Sequence, residues 1–146
     1  KVENKIHYRI DNSKSYDHVQ GVIPITTKTF CSYKNTIEDS INSFNKNVEW
    51  DGMWDLSEAE ERLKIGDVLW IGVDKEGPLA HVWFKDNYLY NMYVDPRRPD
   101  NYAVRFVQFC IQFIDSKEII LYCDEWNIAA QKMFEKVGFE KYTPNK

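Results

Sequence analysis

The sequence predicts one α/β domain spanning residues 1–146, on three observations. Between residues 68 and 94, three apolar runs are joined by short turn segments, which makes an antiparallel meander. Beyond Pro96, an apolar helix, a continuous apolar run, a second helix and a last short run follow in turn. The buried helix between two of these strands requires them to be parallel, within a mixed sheet.

Taken in order, Ile6 to Ile10 is a first short strand, followed by polar punctuation from Asp11 to Ser15. Pro24 to Lys34 has no clear period and reads as loop, or loop with a short helix. Ile37, Ile41, Phe44 and Val48 recur at spacings of four, three and four, one face of an amphipathic helix. Ser57 followed by Glu60 reads as a capping box opening a short helix that Gly66 ends. Val68–Val73, Leu79–Phe84 and Tyr88–Val94 are the meander strands, with turns at Asp74–Pro78 and Asp86-Asn87. Asn101 to Asp115 is a helix whose Arg105, Gln108, Gln112 and Asp115 form one polar stripe, so its remaining face is buried. Ile119 to Cys123 is an apolar strand of the kind covered on both faces. Asn127 opens the next helix, Gly138 closes it, and Phe139 to Tyr142 is the last strand.

Composition narrows the function classes. The chain is 43% hydrophobic and 15% aromatic, enough for a packed core. No stretch approaches the roughly 20 unbroken apolar residues of a membrane span, and Lys1 to Asp11 lacks a signal-peptide core. A net charge of −4 without a basic run disfavours nucleic acid. Cys31, Cys110 and Cys123 make no CxxC or metal cluster, and His7, His18 and His81 are the chain's imidazoles, so no metal site is expected. Cys110 and Cys123 sit inside apolar runs and read as buried thiols, which suit a reducing cytoplasm, the expected location.

Two segments carry a family resemblance. Met92-Tyr93-Val94-Asp95-Pro96-Arg97-Arg98 ends a strand and leads through a loop into the apolar helix. Asn127-Ile128-Ala129-Ala130-Gln131-Lys132-Met133-Phe134-Glu135-Lys136-Val137-Gly138-Phe139 follows the buried strand. Together they resemble the GNAT superfamily of acyl-CoA-dependent N-acetyltransferases, well over residues 57–142 and by order of elements before that. The resemblance implies a mixed, mostly antiparallel sheet with a central splayed parallel pair and helices on both faces. It implies acetyl-CoA as co-substrate and an amine acceptor, with no metal, no nucleic acid and no membrane partner; a homodimer stays open.

By this resemblance the amides of Met92, Tyr93 and Val94 bind pantetheine and polarise the thioester, and Asn127 contacts the pantetheine. The pyrophosphate loop departs from the family pattern. The usual register puts Pro99 at an Arg/Gln position and Tyr102 at a Gly. A loop one residue shorter puts Arg98 and Ala103 on pattern and Asn101 where Gly is expected. The shorter register is preferred because Asn is the non-Gly residue best suited to left-handed backbone. Arg97 and Arg98 then add charge for the phosphates, and the first turn from Tyr102 through Val104 offers its amides. Asp100 either faces the anion or caps the helix. Phe134 stands where many relatives carry a proton-donating Tyr. For chemistry, the strand offers Tyr93 and Asn91, and His81 is either a base or a hydrogen-bonded strand residue. Tyr122 and Tyr142 are further hydroxyl donors. Glu49, Trp50, Asp51, Trp54 and Asp55 either bind a cationic amine or divide into packed rings and solvated acids. The functional reading is an N-acetyltransferase acting on a primary amine of a small molecule or polypeptide; the alternative is a catalytically impaired binding module of the same fold.

Overall fold

The computed structural model describes residues 4–48 and 54–144. Seven strands make one mixed sheet: β1 (Lys5–Asp11), β2 (Val22–Ile25), β3 (Val68–Asp74), β4 (Gly77–Lys85), β5 (Tyr88–Val94), β6 (Glu118–Asp124) and β7 (Glu140–Tyr142). Four α-helices flank it: α1 (Lys34–Asn47), α2 (Leu56–Lys64), α3 (Tyr102–Ile111) and α4 (Ile128–Val137). The spatial order is β2-β3-β4-β5-β6-β1-β7, with β5 and β6 parallel and the other pairs antiparallel. The mixed sheet with its parallel pair is the architecture expected from the order of elements, and helices on both faces are what the family resemblance implied.

Strand alternation sorts the core into two layers. Ala80, Val82 and Phe84 of β4, Leu89 of β5, and Ile119 and Leu121 of β6 pack with Val107, Cys110 and Phe134 of α3 and α4. On the other face Leu69, Ile71, Trp83 and Tyr93 pack with Ile37, Ile41 and Phe44 of α1 and Ala59 and Leu63 of α2.

Several local readings change. β2 runs into the start of the segment read as loop, and its Pro24 is tolerated because β2 is an edge strand that pairs with β3 alone. The cap of α2 is Asp55, whose carboxylate accepts from Glu58 N–H at 2.8 Å, two residues before the Ser57 expected there. Helix α3 stops at Ile111, short of Asp115. Asn12 explains the stop: its Nδ2 donates to the carbonyls of Ile111, Ile114 and Ser116 at 2.9, 3.0 and 3.1 Å, gathering the unwound end. Strand β6 is covered on one face, not both, since Tyr122 on its other face is 46% exposed. Strand β1, first in sequence, lies between β6 and β7, matching His7 to both Tyr122 and Tyr142.

Candidate functional site: a strand gap beside a helix N-terminus

Strands β5 and β6 meet at Tyr88 and Ile120, where Ile120 N–H donates to Asn87 C=O (3.0 Å) and Asn87 Nδ2 donates to Glu118 C=O (2.9 Å). Beyond that point the register records no further pair, so the strands part toward their C-terminal ends. What lines the gap follows from hydrogen-bond alternation. Asp95 N–H donates to Leu79 C=O at 2.7 Å. In an antiparallel pair alternate residues turn both backbone groups to the partner, so the Tyr93–His81 pair is bonded. Met92 and Val94 therefore direct their amides away from β4, toward β6. A bulge between Trp83 and Phe84 gives β5 an extra residue, so that Tyr90 and Asn91 both face the α1–α2 side.

At the open end of the gap, the chain turns through a loop into α3. Arg98 N–H donates to Asp95 C=O and Arg97 N–H to the Asp95 carboxylate. Asn101 takes φ 64° and ψ 8°, the left-handed conformation that the shorter loop register requires. Its side chain makes no cap bond. Of the first-turn amides, Tyr102 N–H goes to Pro99 C=O, which leaves those of Ala103 and Val104 without a helical partner. They sit at the positive end of the helix dipole. A cavity of about 370 Å³ lined by Ser15, Tyr16, Asp17, Asn101, Arg105 and Gln108 borders this terminus. A larger one, about 640 Å³, is lined by Arg9, Lys14, Lys117 and Glu140 among others and includes no residue of β5.

The loop's charges are unevenly available. Arg97 is committed to the β3–β4 turn: it donates to Asp74 at 2.8 Å and to the carbonyls of Gly77 and Pro78 at 2.9 and 3.1 Å. That bond holds the Asp74 carboxyl below its ordinary value. Arg98, Pro99 and Asp100 are exposed. Tyr102 turns inward over Gly72, 6% exposed, with an unpartnered hydroxyl whose pKa burial pushes up to about 12.

The expected acid–base residues sit in two hydrogen-bonded chains under α1. His81 is 4% exposed; its Nδ1 meets Ser40 Oγ at 2.7 Å and its Nε2 meets Asn91 Oδ1 at 3.0 Å. An amide oxygen only accepts, so Nε2 carries the proton and Ser40 donates to Nδ1. Burial lowers the His81 pKa from 6.5 to about 4, keeping the ring neutral. Tyr93 is 7% exposed. Ser43 Oγ donates to Asp95 Oδ2 (2.9 Å), so Tyr93 O–H donates to Ser43 Oγ (2.7 Å) while accepting from Asn47 Nδ2 (2.8 Å). Asn91 is half-buried, and its Oδ1 is held by His81.

Phe134 is a core residue, 6% exposed and edge-on to Phe139. Asn127 caps α4, its Oδ1 accepting from Ala130 N–H at 3.2 Å. Trp54 packs on Trp83 with ring centroids 5.3 Å apart and the Arg62 guanidinium 5.0 Å above it. With Asp55 serving as a cap, this pair takes the packing role; Glu49, Trp50 and Asp51 lie outside the described residues. The sequence reading missed Ser40, Ser43 and Asn47, although a Ser at position 40, inside the Ile37–Ile41–Phe44 stripe, is a polar residue in a core position. It also missed Asp67, 6% exposed, which accepts from Tyr90 O–H at 2.6 Å. Among the described residues no group of His, Cys, Asp and Glu could hold a metal, and no helix is long and apolar enough to cross a membrane.

No protein-family profile matches the chain, and no curated protein does. Solved structures do. A GNAT-family acetyltransferase from Colwellia psychrerythraea superposes with a TM-score of 0.66 at 16% identity, over 96% of this chain and 53% of that one. The fold is that of the GNAT acetyltransferases. A probable acetyltransferase matches at TM-score 0.63 and 16% identity, over 86% of this chain and 93% of its own. A GCN5-related N-acetyltransferase from Sphaerobacter thermophilus matches at 0.60 and 11%, over 97% and 49%. The chain thus spans about half the length of the Colwellia and Sphaerobacter GNAT proteins and nearly all of the second structure.

Proposed function

We propose that this chain binds acetyl-CoA and transfers its acetyl group to a primary amine of a small molecule or polypeptide. The observation that carries this reading is the continuity of two anion- and amide-binding features: the β5–β6 gap with the outward amides of Met92 and Val94, and the α3 terminus behind left-handed Asn101. Pantetheine is a chain of amides that pairs with an open strand edge, and a pyrophosphate suits uncapped helix amides. Arg98 adds charge there, while Arg97 is spent on Asp74.

In the transfer, the amine nitrogen attacks the thioester carbonyl, the new C–N bond forms, the C–S bond breaks, and CoA leaves as thiolate. An oxyanion developing on that carbonyl is stabilised by strand amides such as Met92. The amine must lose a proton. His81 is a poor base for it, with a pKa near 4 and both ring nitrogens engaged. The proton therefore goes to solvent, and amine deprotonation in bulk sets the rate at neutral pH. Tyr93 O–H is spent on Ser43 and Phe134 cannot donate, so the thiolate leaves without a side-chain acid. His81, Ser40 and Tyr93 act as positioning residues that fix β5 and the Asn91 amide.

A second reading, a catalytically impaired binding module, is favoured by these same engaged acid–base groups. Three free thiols at Cys31, Cys110 and Cys123 support a reducing, cytoplasmic setting. Calorimetric titration with acetyl-CoA and desulfo-CoA tests the proposal. Micromolar binding, weakened at least tenfold by Asn101→Glu, supports it. Binding that is undetectable at millimolar ligand sinks the transfer reading, and binding without thiol release on any amine leaves the module.

A further inference from the structure

The two halves of the proposed site meet at one residue. Asp95 is the first residue after β5, so it stands between the outward amides of Met92 and Val94 and the loop that leads to α3. It is half-buried, and all four of its polar groups are bonded. Its N–H donates to Leu79 C=O at 2.7 Å, and its C=O accepts from Arg98 N–H at 3.0 Å. Carboxylate Oδ1 accepts from Arg97 N–H at 2.9 Å, and Oδ2 accepts from Ser43 Oγ at 2.9 Å. The residue thereby ties β4, α1 and the loop to the end of β5. Arg97 carries the tie onward to the β3–β4 turn, through Asp74 and the carbonyls of Gly77 and Pro78.

By charge alone, a carboxylate is misplaced at the mouth of a polyanion site. Along the loop and its anchoring turn, Asp74, Asp95 and Asp100 outnumber Arg97 and Arg98. Arg97 is shared between Asp74 at 2.8 Å and Asp95 at 3.8 Å. A pyrophosphate gains little Coulomb attraction from such a loop. Its hold rests on backbone amides, which act at short range and in one direction, so their placement decides the affinity. The amides of Met92 and Val94 lie on a strand, and those of Ala103 and Val104 lie on a helix. A ligand that reaches both sets gains from the linkage only where the spacing between them is fixed. The Asp95 carboxylate is engaged by Ser43 and Arg97, so it acts through them rather than on the ligand.

We infer that Asp95 is a positioning residue of the acyl-CoA site: its carboxylate sets the loop so that one ligand reaches the strand amides and the α3 amides together. This rests on the acyl-CoA reading, and its sign is opposite to that of plain electrostatics. Removing a negative charge beside a pyrophosphate tightens binding if charge alone matters. Removing the bonds that set the loop weakens it.

The test compares acetyl-CoA with two of its pieces, ADP and S-acetylpantetheine, by amide NMR titration of the wild type, Asp95→Asn and Asp95→Ala. Asp95→Asn loses the charge but keeps an oxygen for Arg97 N–H, and should bind acetyl-CoA at least as tightly as the wild type. Asp95→Ala loses both side-chain bonds and should bind acetyl-CoA about tenfold more weakly or worse. Its affinity for each piece should stay within about threefold, because neither piece spans both sets of amides. Acetyl-CoA affinity unchanged or raised in Asp95→Ala overturns the inference. So does a loss of the same size for the whole ligand and for either piece, or an equal loss in Asp95→Asn. Ser43→Ala, which cuts the tie to α1 and leaves the Arg97 bond, serves if Asp95→Ala does not fold. It should weaken acetyl-CoA about threefold and neither piece, and unchanged affinity there overturns the inference. No binding of acetyl-CoA by the wild type overturns the acyl-CoA reading itself and the inference with it, a result read without any variant.

Discussion

Protonating His81 should unfold this protein more readily than protonating any exposed imidazole. The ring lies between α1 and the sheet, bounded by Ser40, Phe44, Asn91 and Tyr93, none of which carries a charge to offset an imidazolium. Desolvation outweighs the Asn91 hydrogen bond, and the pKa falls from 6.5 to about 4. The unfolded chain then takes up the proton first as pH drops. Stability is fully present above about pH 6.5 and is lost as pH falls toward 4, with a slope of up to about 1.4 kcal/mol per pH unit. Between neutral pH and about pH 4.5 the loss from this one group is about 2 kcal/mol by linkage. Urea denaturation of the wild type and of His81→Gln at the two pH values isolates it, because every other side chain is common to both proteins. The variant starts less stable, and its acid loss should be smaller than the wild type's by about that amount. Equal losses, or a His81 ring that titrates near 6.5 by NMR, would refute the reasoning.

Other perturbations have definite signs. Tyr102→Phe removes a buried hydroxyl with no partner and should stabilise by about 1 kcal/mol, read as a higher denaturation midpoint. Gly72→Ala would set a Cβ 2.0 Å from that hydroxyl and 3.1 Å from Phe106, costing about 1–3 kcal/mol, and Tyr102→Phe in the same chain should recover part of it. Asn12→Ala strips three bonds from the end of α3 and should cost about 2–3 kcal/mol, with the largest rise in amide exchange at residues 113–117. Asn101→Gly should leave stability within about 0.5 kcal/mol, whereas Asn101→Val, β-branched in left-handed backbone, should lose about 1–2 kcal/mol.

What could be read from the sequence was local. Asp74–Pro78 and Asp86-Asn87 punctuate the meander, and apolar periodicity marks α1, α3 and α4, so the parallel crossover followed. The left-handed demand at position 101 was legible because Asn there has a conformational reason. The cap of α2 was not, since Asp55 with Glu58 and Ser57 with Glu60 offer the same spacing two residues apart. The end of α3 depends on Asn12, ninety-nine residues away from Ile111. The slot of β1 between β6 and β7 is likewise a long-range pairing that no local pattern encodes. The site divides in the same way. Met92, Val94 and the loop lie in one continuous segment and could be named together. The engagement of His81 by Ser40, of Tyr93 by Ser43, and of Arg97 by Asp74 arises only when α1 and the β3–β4 turn fold against β4 and β5.

The most direct test of the proposed acyl-CoA site is a backbone-amide NMR titration with acetyl-CoA. Binding in the proposed manner should move the Met92 and Val94 signals from the strand gap together with Ala103 and Val104 from α3, at one common affinity. Desulfo-CoA should reproduce the α3 shifts with smaller changes at Met92. Shifts confined to the cavity around Arg9, Lys117 and Glu140, or α3 shifts without any at β5, would contradict it.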